Sequence, residues 1–258
     1  MDDKKIEHYG RIIIDSSNDQ FLYGNNRQER ADLLKTLAEM YPVTTDKDAP
    51  MGIYISDSGL PEVPESAKGL NQGRMDTLSS IYVELLIESS IADSTMQQVK
   101  LGKIDIDVLN KRMRSLSYIL GINPNTTFKE FCEALKGSKD VCAAEYQRYI
   151  ETGNILGMPS IAIDATLFAN VFKRDILNNK SHFSIIFDQQ EPYARPTQRA
   201  IDRYIAARGI NGDLSVKIAC EPDAAWDFGG MNLVLGHDYT IIKIDDSVQK
   251  KGNVSPFR

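Results

Sequence analysis

The sequence predicts an α/β fold of three layers, in which helices cover both faces of a mostly parallel sheet. Short apolar runs of strand length alternate with stretches of helical spacing along the chain. Several of these runs are nearly continuously apolar, which is typical of strands buried on both faces. The composition agrees, because 42% of the 258 residues are hydrophobic and 26% are charged. These ordinary globular values exclude collagen, coiled coil and wholesale disorder.

The core pattern begins with two apolar runs, at 12–14 and 20–23, of which the second ends at Gly24. Residues 30–40 follow with helical spacing, and residues 51–55 have the pattern of a buried strand. Strand, glycine loop, helix and strand in this order predict a βαβ unit with a right-handed crossover.

Residues 71–158 lack strand signals and are predicted to form a helical insertion. Two apolar stripes at helical spacing begin at Leu78 and Val108, and Thr127 with Glu130 fits a capping box at the start of a further helix. The chain is therefore predicted to have an α/β core at 1–70 and 159–247, a helical insertion at 71–158 and a flexible tail at 248–258.

The second half of the core alternates again between helices and strands. A helix at 164–177 leads to a buried strand at 182–188 that ends in an acid. A helix at 196–208 begins at a proline and is followed by Gly209, which is the usual asymmetry of helix ends. The remaining elements are a strand at 214–220, a hairpin excursion at 226–235 and a last strand at 239–244.

The best-defined chemical signal is the strand that ends in Asp188. An apolar strand followed by an acid is the Walker B pattern of P-loop nucleotidases, in which the Asp holds Mg²⁺ through water. Ligands of parallel sheets bind at the carboxyl ends of the strands, where this chain also carries Gly24, Asp57 and Glu221. An acid that only begins a turn is the competing interpretation of Asp188, with equal weight.

The order of the elements, together with Asp188, resembles a divergent P-loop ATPase of the AAA+/STAND group, closest to the origin-recognition type found in bacteria. The resemblance covers most of residues 12–245. It implies a P-loop-like core whose ligands are ATP and Mg²⁺, with Asp188 on the metal.

The phosphate loop of that family reads G-x-x-x-x-G-K-[S/T], whereas the aligned stretch 24–31 reads GNNRQERA. Glu29 replaces the second glycine, Arg30 replaces the lysine and Ala31 replaces the hydroxyl that binds Mg²⁺. A glutamate adds negative charge to a loop that wraps phosphate with bare N–H groups. An alternative placement at 68–75 has a Gly-Arg pair and also lacks the hydroxyl. The nucleotide-binding residues that the resemblance implies are Gly24, Asn25, Asn26, Arg27 and Arg30.

The catalytic side of the Walker B motif has changed as well. Gln189 stands where a general-base glutamate normally follows the aspartate, and loss of a general base costs about 10²–10⁴ in rate. Glu191 could substitute only if the strand end bulges. Asp188 and Glu191 are therefore the catalytic pair that the resemblance implies for an active enzyme.

Three arginines, Arg195, Arg199 and Arg203, follow at a spacing of four residues and share one helix face. A solvated basic stripe is the simplest interpretation. Arginines at subunit edges of AAA+ rings reach a neighbour's phosphates, and the functional alternative here is a contact with nucleic acid or an acidic protein partner.

Charge and cysteine content exclude several other classes. The formal charge of −6 disfavours a surface coated by nucleic acid. Three widely spaced cysteines without a C-x-x-C pair disfavour a disulfide scaffold or a cysteine zinc site. The chain has neither a leader-like start nor a run of membrane-helix length, so we expect a cytoplasmic protein without membrane contact.

These observations favour a pseudo-ATPase, a nucleotidase scaffold kept as a binding or assembly subunit among other protein subunits. By resemblance, its setting includes bacterial complexes on DNA and anti-phage defence. One alternative is a working ATPase with Arg30 on phosphate, Asp188 on Mg²⁺ and Glu191 as base. Another alternative is a purely structural protein-interaction subunit without a ligand.

Overall fold

The computed structural model describes most of the chain. The described residues are 3–24, 26–56, 59–67, 69–118, 121–159, 164–188, 194–208, 212–220 and 235–244. The predicted tail at 248–258 lies outside the described residues, as does all of the predicted hairpin at 226–235 except residue 235. Asp57 and Glu221 also lie outside them.

A five-stranded sheet forms the centre of the fold, and all of its strand pairs are parallel. Its order is β2-β3-β4-β1-β5. The predicted α/β class with a parallel sheet is thereby confirmed. The strands are β1 (Gln20–Gly24), β2 (Met51–Ile55), β3 (Phe183–Asp188), β4 (Leu214–Cys220) and β5 (Thr240–Ile244).

Seven α-helices accompany these strands within the described residues. The first and the sixth continue as π-type turns, at Gly10–Ile14 and Phe172–Leu177, and a short 3₁₀ turn covers Glu65–Ala67. The helices are α1 (Asp3–Tyr9), α2 (Arg27–Met40), α3 (Gln72–Lys100), α4 (Ile106–Leu116), α5 (Phe128–Thr152), α6 (Ala165–Val171) and α7 (Arg195–Arg208).

The two faces of the sheet bury separate hydrophobic cores, because successive side chains of a strand point to opposite faces. Phe183, Ile185 and Phe187 of β3 belong to the larger core, which α3, α5, α6 and α7 cover. Ile186 belongs to the smaller core, which α1 and α2 cover. Helices therefore lie on both faces, and the predicted three layers are confirmed.

Among the described residues, the range 71–158 contains helices and no strand, as predicted. Thr127 and Glu130 form the predicted capping box at the start of α5. The apolar residues of α3 and α5 share the larger core with the strands, so these helices form part of the layer on the sheet. The division into a core, an insertion and a tail stays a prediction.

Two local predictions are wrong. Residues 12–14 continue α1 as a helical turn instead of a strand, because Tyr9, Ile13 and Ile14 pack at helical spacing under α2 and this packing overrides β propensity. The helix predicted at 30–40 begins three residues earlier, at Arg27, because the side chain of Asn26 caps it there.

The predicted strand–helix–strand unit is present, but its two strands are not neighbours. β3 and β4 lie between β1 and β2, and β2 is an edge strand. The wholly buried strands β3 and β4 occupy the centre of the sheet, where both faces are covered. Sequence neighbours therefore do not determine the strand order here.

Candidate functional site

The carboxyl edge of the sheet brings together the two residues on which the resemblance depends. Gly24 ends β1 and Asp188 ends β3, with β4 as the one strand between them. The pairs Tyr23↔Cys220 and Asp188↔Ala219 align the three strand ends. The expected meeting of Gly24 and Asp188 at a shared rim is observed.

The cap of helix α2 is formed by a single side chain. The Asn26 Oδ1 atom accepts a hydrogen bond of 3.2 Å from the Glu29 backbone N–H, and the acidic Glu29 lies in the first turn, where the helix dipole favours it. The Asn-x-x-Glu pattern is a helix-start signal that the sequence already contains.

The early start of α2 leaves only residues 25 and 26 between β1 and the helix. The glycine-rich part of a phosphate loop lies between its strand and its helix, and its N–H groups cradle the phosphates together with the N-terminus of that helix. Here Arg27, Glu29 and Arg30 are helical, and the Glu29 N–H is already bonded to Asn26. Asn25 lies outside the described residues.

Gly24 itself has no geometric need to be glycine. A Cβ atom added there would meet its nearest neighbours, in Arg30 and Ile244, at 3.5 Å, an ordinary contact distance. The residue belongs to a regular strand rather than to a loop that approaches a ligand. The one matching position of the phosphate motif therefore lacks the usual reason for its glycine.

Arg30 is fully buried and is bound to the backbone of two strand ends. Its Nη1 atom donates to the carbonyl oxygens of Gly24 at 3.2 Å and of Cys220 at 3.0 Å. Its Nη2 atom lies 3.9 Å from the Asp188 Oδ1 atom. The guanidinium of this α2 residue therefore lies against the carboxyl ends of three strands, β1, β4 and β3.

Asp188 is also buried, and it has a hydroxyl partner from the edge strand. Tyr54 of β2 donates a hydrogen bond of 2.5 Å from its Oη atom to Asp188 Oδ2. Burial raises the pKa of the Asp188 carboxyl, while the Tyr54 hydrogen bond and the charges of Arg30 and Arg27 oppose this rise. The three side chains form a continuous polar unit, Tyr54–Asp188–Arg30, within the smaller core.

This unit does not use all of its hydrogen-bonding capacity. Three buried atoms, Arg30 Nε, Arg30 Nη2 and Asp188 Oδ1, have no hydrogen-bond partner. Buried polar atoms are normally paired, so such exceptions are found where chemistry or strain requires them.

The described residues do not fit a Mg²⁺–ATP site. Ala31 offers no hydroxyl, the Arg30 guanidinium is held by backbone carbonyls, and one oxygen of Asp188 is occupied by Tyr54. Within the described part of the chain, no group of three or more His, Cys, Asp and Glu residues could hold a metal ion. Glu191, the predicted base, falls outside this part.

The alternative phosphate loop at 68–75 is largely helical within the described residues. Gly73 and Arg74 lie in the first turn of α3, and Asn71 caps that helix by accepting a 3.2 Å hydrogen bond from the Arg74 N–H. The preceding strand, β2, ends at Ile55, well before this helix.

The three arginines of α7 have different environments. Arg195 is exposed, and its backbone N–H donates to Glu62 at 2.8 Å. Arg199 is half-buried. Arg203 binds α3, through an ion pair of 3.0 Å with Asp76 and a hydrogen bond of 3.0 Å to Ser79. They do not form one open stripe.

Sequence reasoning missed Tyr54 and the Cys220 carbonyl. Tyr54 was counted as one residue of an apolar strand, although its side chain alternates to the α2 face, like that of Asp188. Its hydroxyl contacts Asp188 only because β2 pairs with β3, with Tyr54 opposite Ile186. That pairing depends on the strand order, which no signal in the sequence reveals.

Comparisons with protein-family models, curated proteins and solved structures gave no match for this chain. Within the described residues, no helix combines the length and the apolar character that a membrane crossing needs.

Proposed function

We propose that this chain is a divergent AAA+-like pseudo-ATPase module, a binding or assembly subunit that does not hydrolyse ATP. The observation that carries the proposal is the position of Arg30, whose guanidinium bridges the Gly24 and Cys220 carbonyls beside Asp188. The charged groups that the resemblance would direct to phosphate and Mg²⁺ are instead bound to protein atoms.

The free-energy cost of withdrawing Arg30 from its partners also argues against nucleotide binding. Withdrawing Arg30 would leave two buried carbonyl oxygens without their donor and Asp188 without its neighbouring cation, and each buried group that loses its partner costs about 1–3 kcal/mol. A nucleotide could bind here only if its contacts with the protein offset that cost and still left a favourable free energy of binding. The two-residue loop before α2 offers few backbone N–H groups to do so.

Measurements of ATP binding and ATP hydrolysis test the pseudo-ATPase proposal directly. We expect no heat of binding for Mg²⁺–ATP up to about 1 mM, the upper range of ordinary KM values, and no phosphate release above the blank. Micromolar binding that is lost in Asp188→Ala but kept in Asp140→Ala, the same change at an exposed aspartate of α5, would contradict it. Phosphate release with the same dependence would favour the active hydrolase.

Protein subunits are the partners that we favour over nucleic acid. The chain carries a net charge of −6, and Arg203 is engaged by α3, which reduces the basic face of α7. The setting in a bacterial DNA-associated or anti-phage complex rests on the resemblance alone.

A pair of measurements separates the partner classes. We expect size-exclusion chromatography of the tagged chain from its native cells to show a stable protein complex. We expect no electrophoretic shift with DNA or RNA at physiological salt. A salt-sensitive shift that Arg195→Glu weakens more than Arg11→Glu would instead assign nucleic acid as the partner. A chain that stays monomeric in cells and binds neither class would contradict the assembly role.

A further inference from the structure

Helix α5 has one buried side and one side that is exposed to solvent. Leu135, Cys142 and Tyr149 on the buried side belong to the larger core. The chain after α5 turns back along the helix, because the Leu156 N–H donates a hydrogen bond of 2.8 Å to the carboxylate of Glu145. The exposed side of α5 and the returning residues 153–156 therefore form one surface.

A groove of about 610 Å³ lies on this surface, between the helix and the returning residues. Ala144 and Arg148 of α5 line it on one side and Leu156 lines it on the other. The side chain of Leu156 is 75% exposed, and Val141, one turn before Ala144, is 45% exposed. Single exposed apolar residues are ordinary, whereas apolar residues gathered at a groove are typical of a protein contact.

The charged residues of the exposed side are arranged symmetrically about Ala144. Asp140 precedes Ala144 by four residues and Arg148 follows it by four, while Lys136 and Glu151 lie eight before it and seven after it. At 100° per residue, all four lie on the same half of the helix as Ala144. The signs read plus, minus, plus, minus along the chain, so reversing the direction of the helix exchanges positive for negative.

This pattern is complementary to itself. In a two-fold interface the same surface serves both copies, and every contact occurs twice. If two copies of α5 meet antiparallel at Ala144, Asp140 of each copy faces Arg148 of the other, and Lys136 faces Glu151. A parallel arrangement would instead place each charge beside the same charge of the other copy. The small Ala144 side chain lets the two helices approach closely at the centre.

We propose that two copies of this chain associate through the exposed side of α5 as an antiparallel, two-fold dimer. Val141 of each copy then lies at the level of Leu156 of the other and enters its groove. Within one chain, Arg148 contacts Glu145 through its Nε atom at 3.5 Å, so its two Nη groups are left to meet a carboxylate of the second copy. The inference rests on the assembly role proposed above and names the chain itself as one of the subunits.

Sedimentation equilibrium of the purified full chain tests this dimer. One helix face per copy makes a small contact, so we expect a Kd of about 1–100 µM that rises with salt concentration. Asp140→Arg and Arg148→Asp each bring like charges together twice, and either should weaken the dimer by about tenfold or more. Asp107→Arg, which changes an exposed aspartate of α4 in the same way, should dimerise like the wild type.

An equimolar mixture of Asp140→Arg and Arg148→Asp distinguishes this contact from a general effect of the substitutions. Each contact of a mixed dimer joins an arginine to an aspartate, so the mixture should recover dimers that neither variant forms alone. The double variant should recover them as well. Misfolding of a variant cannot produce such a rescue.

A wild-type chain that stays monomeric at about 100 µM, well into the range of weak contacts, overturns the proposal and needs no variant. Variants that dimerise like the wild type, or a mixture of folded variants that stays monomeric, overturn it as well. A purified chain that is monomeric but enters a complex in its native cells would overturn the dimer and leave the assembly role intact, with another protein on this face.

Discussion

The two ends of the parallel sheet each bury an acid beside a base, and the two centres are built differently. At the amino edge, Asp19 forms an ion pair with Arg208, and its other carboxylate oxygen accepts a 2.6 Å hydrogen bond from the Val216 N–H. Of that pair, one buried atom, Arg208 Nε, lacks a hydrogen-bond partner. At the carboxyl edge, Arg30 stays 3.9 Å from Asp188, and three atoms of the two residues lack one.

The amino edge has a second cation that is also held by the backbone. Lys217, in the middle of β4, is fully buried and donates to the carbonyl oxygens of Ser16 at 2.7 Å and of Asn18 at 2.5 Å. These bonds tie the segment before β1 to β4. The contacts at this edge therefore hold the chain together.

The difference shows that two buried pairs of the same charge types need not be equally well paired. A buried pair offsets its desolvation only with close contact and further hydrogen bonds. The Asp19–Arg208 pair meets this condition, whereas the Asp188–Arg30 pair meets it in part. A centre inherited from a nucleotide site, as we propose for the carboxyl edge, would have this incomplete pairing.

The largest expected effect is the difference in stability between the variants Asp19→Asn and Asp188→Asn. We expect Asp19→Asn to lower the free energy of unfolding by about 3–5 kcal/mol, since it leaves Arg208 buried without its counter-charge. Asp188→Asn should cost about 1–2 kcal/mol, because the longer contact is worth less and the amide oxygen still accepts from Tyr54. Urea unfolding of both variants measures this. Equal losses would remove the contrast between the two edges.

The pH dependence of the unfolding free energy tests the role of Lys217 at the amino edge. Burial lowers the pKa of Lys217 from 10.5 to about 7, while the charge of Asp19 acts in the opposite direction. Between these two pH values the unfolded chain binds a proton that the folded chain has released, so this residue makes the unfolding free energy rise with pH. The unfolding free energy of the wild type, relative to that of Lys217→Met, should therefore rise by about 4–5 kcal/mol as the pH increases across that window. A pH-independent difference in urea unfolding would show that Lys217 keeps an ordinary pKa.

Tyr54→Phe probes the carboxyl edge without changing a charge. Loss of the hydroxyl leaves Asp188 Oδ2 buried without its donor, which should cost about 1–3 kcal/mol. The matched change Tyr118→Phe, at an almost fully exposed residue, should leave stability unchanged. Thermal unfolding measures both, and a Tyr54→Phe variant as stable as the wild type would mean that this hydrogen bond adds nothing.

The smallest effect is expected for Asn26→Ala. It removes the side-chain cap of α2, which should cost about 1 kcal/mol. It also frees the Glu29 N–H, which lies in the stretch aligned with the phosphate loop, yet we expect no ATP binding, because the loop remains two residues long. Denaturant unfolding and ATP calorimetry on the one variant check both statements. A gain of ATP binding would show that the cap alone blocks the site.

Much of the fold could be predicted because hydrophobic patterning is local. The wholly buried strands around Ile185 and Val216 were located closely, and the capping box at Thr127 marked the start of α5. The run at 12–14 failed because β-branched residues also fit a buried helical turn when their packing partners are on a helix.

The site was predictable only in part. Asp188 could be located from its strand, and Arg30 from its spacing after Gly24, although the nucleotide role of these residues stays a prediction. Arg203 was assigned to an open face that α3 partly covers, since a helix face is known to be buried only when its neighbour is known.

By itself, the sequence determined most of the strands and helices and that the sheet is parallel and covered on both sides, because apolar spacing records burial along each element. Only the tertiary structure decided that β4 separates β1 from β3, that Tyr54 reaches Asp188 from the edge strand, and that Arg30 is held by the Cys220 carbonyl. These contacts join residues up to 190 positions apart. Their distances depend on strand order and on where α2 begins, and neither is written in the spacing of any one element.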